Sequence, residues 1–118
     1  MNPECLYNRL SEIQGDMSAM VGNPAGIAAY WTIALGKIAD LAEELVESTP
    51  GHPSADYRLF ANHAIEVLQG ASQVLALVCN SDQEAEVLNS FRLIGFAIDG
   101  LVHTLEQYFI PETAVQPE

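Results

Sequence analysis

Apolar residues recur every three to four positions along most of the chain and nowhere alternate with polar ones, so the pattern predicts helices and no strands. The clearest case spans 81–111. There Val87, Leu88, Phe91, Ile94, Ile98, Leu101, Val102, Leu105 and Phe109 fall on one stripe of a helix. Ser81 and Glu84 form an S-x-x-E capping box at its start, and Pro111 stops it. Leu93, Phe96, Ala97 and Gly100 make a second patch roughly opposite the first. Gly95, Ala97 and Gly100 are small enough to admit another backbone. A helix apolar on two sides is expected to be buried on two sides, either centrally in its own bundle or between two chains.

The rest of the chain supplies three more helices. Asn2 and Pro3 suit the cap and first position of a short helix ending near Gln14, with Leu6, Leu10 and Ile13 on a narrow stripe. Gly15 and Gly22 then mark a connector. Asn23 and Pro24 repeat the cap pattern and open a long helix to about Ser48. Its apolar face is Ile27, Trp31, Ala34, Leu35, Ile38, Leu41, Ala42 and Leu45, which places Trp31 in or near the core. Pro50, Gly51 and Pro53 force a turn, and Ser54 caps a third helix reaching about Cys79. Its stripe runs Tyr57, Phe60, Ala64, Val67, Leu68, Ala71, Val74, Leu75 and Val78. Asn80 ends it so close to the next helix that the two must form an antiparallel hairpin. The expected fold is all-α: a small bundle of three long helices plus a short N-terminal one, in a single domain over 1–111. A loose polar tail follows over 112–118.

Composition narrows the function. The chain has 118 residues, 49% of them hydrophobic, which suits one packed domain. Its net charge of −12 comes from 16 acids against only four Lys and Arg. With so few cations, direct binding to nucleic acid or to an anionic membrane surface is not expected, and a charged partner should be basic. The first residues carry no basic-then-apolar leader, and polar residues interrupt the longest apolar helix, so the expected location is cytoplasmic.

Candidate chemistry is sparse. His63 with Glu66 and His103 with Glu106 are spaced H-x-x-E, the reverse of the E-x-x-H order of bundle di-iron sites. Cys5 and Cys79 form no C-x-x-C pair and have no evident His partner, and no nucleophile elbow occurs. No catalytic residue, cofactor or metal is therefore assigned, and the chain reads as non-enzymatic. What remains is surface. Ile33, Leu59, Leu77, Leu93 and Phe96 lie off their helices' main stripes, and with Ala97 and Gly100 they form the candidate partner or dimer contact. Association through such a patch would give a two-fold homodimer. Asp40, Glu43, Glu44 and Glu47, crowded at the end of the second helix, are a solvated face or a set of steering charges for a basic partner.

A short, acidic, all-helical chain with Ala/Leu-rich helices such as HAIEVLQGASQVLALV at 63–78 resembles the QslA group of quorum-sensing anti-activators. The resemblance lies in overall character and carries over no individual residue. It implies binding to the ligand-binding domain of a LasR-type transcription activator, which blocks the activator's dimerisation and so its hold on DNA. Two alternatives remain: an acidic DNA mimic that inhibits a nucleic-acid-binding protein, and a self-associating structural subunit.

Overall fold

A computed structural model describes the backbone of residues 1–22, 27–78 and 84–110, with the side chains of 20–22, 27–31 and 84 left aside. The described residues form four α-helices: α1 (Pro3–Gly22), α2 (Ile27–Ser48), α3 (Ala55–Val78) and α4 (Glu84–Tyr108). One 3-10 turn, Thr49–Gly51, joins α2 to α3. Among the described residues there is no strand. The capping box at Ser81, the cap at Asn23 and Pro24, the stops at Asn80 and Pro111, Cys79, the 112–118 tail and the Trp31 side chain all lie outside the described residues.

The two caps that can be inspected form as expected. Asn2 Oδ1 accepts the Cys5 backbone N–H at 2.7 Å, and Ser54 Oγ accepts that of Tyr57 at 3.2 Å. The α2–α3 turn is tied by local bonds. His52 N–H donates to the Thr49 carbonyl at 3.1 Å, Ser54 N–H donates to His52 Nδ1 at 3.1 Å, and Arg58 donates to the His52 carbonyl.

Each helix packs on its neighbours in chain order, and α4 closes the ring against α1. Polar pairs show the directions. Arg9 meets Glu44 and Asp16 meets Lys37, so α1 and α2 are antiparallel. Tyr7 meets Glu106 and Gln14 meets Asp99, so α1 and α4 are antiparallel as well. Residues 56–63 of α3 line a groove with Thr104 and Tyr108 of α4 and the following Phe109, which makes that hairpin antiparallel too. The result is a four-helix bundle. Its axis is filled by Leu6, Leu10, Ile38, Leu41, Leu45, Leu68, Leu75, Phe91, Ile98 and Leu105, all fully buried.

One expectation is corrected and one pair of alternatives is narrowed. The first helix is not short: α1 has 20 residues and continues through Gly15. Met17 explains why, since it extends the spacing Leu6, Leu10, Ile13 by one more turn and is 1% exposed. Burying such a side chain contributes roughly 1.5–3 kcal/mol, against about 1 kcal/mol for a glycine inside a helix. Asp16, a residue of the expected connector, also pairs with Lys37 at 2.6 Å. The bundle therefore has four long helices. Nor is α4 buried on both sides within the chain. Val87, Phe91, Ile94, Ile98, Leu101, Val102 and Leu105 face the core, while Leu93, Phe96, Ala97 and Gly100 are exposed. In a ring of four helices no member is central, so the second patch finds no cover among the described residues.

Candidate interaction surfaces

The side chains that fell off the sequence stripes all reach solvent. Ile33 is 50% exposed, Leu59 74%, Leu77 78%, Leu93 69% and Phe96 74%. They do not form one patch. Leu59 and Leu77 share a face of α3 but stand eighteen residues apart, about 27 Å along the helix. Ile33 belongs to α2, and Leu93 and Phe96 sit one turn apart on the outward face of α4.

Leu59 lies in a groove where the start of α3 meets the end of α4. Asp56, Leu59, Phe60, His63, Thr104, Tyr108 and Phe109 line it, around a volume of about 450 Å³. Aromatic packing holds its floor. The Phe60 and Phe109 rings are 5.3 Å apart at a tilt, and Tyr57 meets Phe109 edge-on at 5.7 Å, with His52 stacked behind Tyr57 at 4.2 Å. Beyond Tyr108 the chain turns in: the Phe109 and Ile110 N–H groups both donate to the Leu105 carbonyl, and Ile110 is buried. That turn holds Phe109 against the floor, while Tyr108, 75% exposed, forms one wall opposite Leu59. Sequence reasoning missed Tyr108. The signal was its placement one turn beyond Thr104 and off the main stripe, next to a stop that drew attention only as a boundary.

A second hollow of about 420 Å³ runs between α1 and α4. The buried Met17 and Phe91 line it together with Gln14 of α1 and Gly95, Phe96 and Asp99 of α4. Gln14 Nε2 donates to Asp99 Oδ1 at 2.5 Å and Tyr7 OH donates to Glu106 Oε1 at 2.8 Å, so both acids of the middle and end of α4 turn toward α1. That bond to Glu106 is the main reason the Tyr7 hydroxyl is held above its ordinary pKa, with burial adding to it.

The acids of α2 lie on its solvent side. Asp40, Glu43, Glu44 and Glu47 are exposed and line a shallow hollow with Arg9. One of them is already engaged, because Arg9 Nη2 lies 2.7 Å from Glu44 Oε2. Lys37 similarly bridges Asp16 at 2.6 Å and Glu12 at 3.2 Å. These bonds, to Glu44 for Arg9 and first to Asp16 for Lys37, raise the pKa of both cations. Two of the chain's few cations are thus spent holding α1 to α2 rather than meeting a partner.

His63, Glu66 and His103 are exposed and Glu106 is committed to Tyr7, so neither H-x-x-E pair converges on a point. Among the described residues no three His, Cys, Asp or Glu side chains gather as a metal site, and no helix is long and apolar enough to cross a membrane. Cys5 is exposed. In comparisons with known proteins, no family model, curated protein or solved structure matches the chain.

Proposed function

We propose that this chain is a non-enzymatic regulator that captures a protein partner by apolar contact and acts as a homodimer. The observation that carries the reading is the groove between α3 and α4. Leu59 and Tyr108 stand exposed over an aromatic floor that internal packing already fixes in place. A preformed apolar cleft gains affinity from desolvation without ordering itself at the moment of binding. An apolar side chain from a partner's helix or loop would fill it. The acids of α2 supply steering: Asp40, Glu43 and Glu47 carry negative charge toward solvent and would raise the association rate of a partner with a basic surface.

The partner class comes from the resemblance to quorum-sensing anti-activators. A LasR-type transcription activator, captured through its ligand-binding domain, would be kept from dimerising and from holding DNA. The direct experiment mixes the purified chain with the purified ligand-binding domain of such an activator and follows mass by sedimentation. The reading expects the activator's dimer to give way to a complex containing both chains. An activator dimer that persists unchanged at a large excess of this protein overturns the assignment of partner.

A further inference from the structure

We infer that the outward face of α4 is where two copies of this chain pair, antiparallel across a two-fold axis centred between Phe96 and Ala97. The inference rests on the reading that the chain acts through apolar contacts between folded proteins, and it assigns one such contact to self-association.

Charge decides the occupant. Two molecules that each carry −12 repel one another over most of their surfaces. On α1, Glu4 and Glu12 are exposed, on α2 the four acids of its C-terminal half, and on α3 Asp56 and Glu66. The outward face of α4 differs. From Asn89 to Gln107 its exposed positions hold no carboxylate at all, because Asp99 and Glu106 are turned aside to Gln14 and Tyr7. Arg92, Leu93, Phe96, Ala97, Gly100 and His103 occupy it instead. A basic partner has nothing to gain there, whereas a second copy meets a face free of its own dominant charge.

Shape agrees. Leu93 and Phe96 are knobs, 69% and 74% exposed, and Ala97 and Gly100 are hollows four residues further along the same face. Apart from its own helix backbone and chain neighbours, nothing lies within 4 Å of a Cβ built on Gly100, and the residue is exposed, so the hollow is open to the outside. Turned end for end about the proposed axis, Leu93 of one copy falls on Gly100 of the other and Phe96 on Ala97. Each contact then occurs twice, as an isologous interface requires. The Leu59 groove begins at Thr104, about two turns from the proposed axis and one turn beyond the Gly100 contact, and opens toward α3.

The test is the mass of the purified chain, alone, by sedimentation over a micromolar concentration series. The expected result is about twice 12.8 kDa. Leu93→Glu and, separately, Gly100→Leu should each weaken pairing by at least a hundredfold while the helical circular dichroism signal is kept. Register is read by disulfide trapping in a Cys5→Ser, Cys79→Ser background. Ala97→Cys, beside the axis, should cross-link to itself within minutes, and Asn89→Cys, on the same face but far from the axis, should not. A monomer throughout the series, or a dimer indifferent to both substitutions, overturns the inference. So does faster trapping at position 89 than at 97. A chain that is monomeric yet captures the activator domain overturns the pairing and leaves the capture standing, and a dimer that captures nothing overturns the capture and leaves the pairing standing.

Discussion

The Tyr57 ring is 1% exposed at the start of α3, between His52 and Phe109, and its hydroxyl is buried without a hydrogen-bond partner among the described residues. Burial, with a smaller contribution from Cys5, pushes it from an ordinary 10.0 up to about 12. The neutral phenol is therefore favoured in the folded state. Its stabilising effect is fully present below pH 10, and is lost as pH rises from about 10, where the unfolded chain ionises, through about 12. Denaturant unfolding should show stability falling by roughly 2–3 kcal/mol across that window through this residue. Tyr57→Phe should flatten that part of the profile. At neutral pH the same substitution removes an unpaired buried hydroxyl and should change stability by less than about 1 kcal/mol or raise it. A loss of several kcal/mol at neutral pH would mean that the hydroxyl has a partner. Its neighbour Ser54 offers a separate check: Ser54→Ala should cost about 1 kcal/mol through the lost cap of α3, read as a shift in the denaturant midpoint without a change of slope.

At the scale of elements, α1 is where sequence and structure part. Gly15 reads as punctuation, yet it is an exposed position inside a helix with nothing within 4 Å of a Cβ built there. Gly15→Ala should raise stability by about 1 kcal/mol, measured by thermal or denaturant unfolding, because it removes backbone freedom from the unfolded chain and meets no clash in the folded one. If Gly15 instead sat in a connector, the gain would be absent. The stripes of α2, α3 and α4 were legible because each repeats over six or seven turns, so a single misplaced residue such as the half-exposed Val74 does not obscure the period. In α1 the stripe rests on four residues, and the glycine that interrupts it is outweighed only by Met17 and by the Asp16–Lys37 pair. That pair depends on which helix lies alongside, and local patterning does not carry that information. The same holds for the groove. Leu59 was visible as an off-stripe residue, but its meeting with Tyr108 follows from the pairing of α3 and α4 and from the turn that seats Phe109.

The bundle's surface includes three features: an acidic side on α1 and α2, an apolar face on α4 that holds no exposed carboxylate from Asn89 to Gln107, and an aromatic-floored groove where α3 begins and α4 ends. Separate roles follow for charge and for apolar area. Charge sets how fast a basic partner arrives and is screened by salt, whereas desolvation in the groove sets how long the partner stays. The most direct measurement is the affinity and association rate of the activator's ligand-binding domain for three forms of this protein, at low and at high salt. The forms are the unaltered chain, Leu59→Glu, and the chain with Asp40, Glu43, Glu44 and Glu47 changed to Asn or Gln. Leu59→Glu should lose at least tenfold in affinity at both salt levels, about 1.4 kcal/mol or more, with its helices intact. The neutralised chain should associate more slowly at low salt and match the unaltered one at high salt. A neutralised chain that no longer binds, beside a Leu59→Glu variant that binds as before, would contradict the account and make the acidic side, as in a DNA mimic, the working surface.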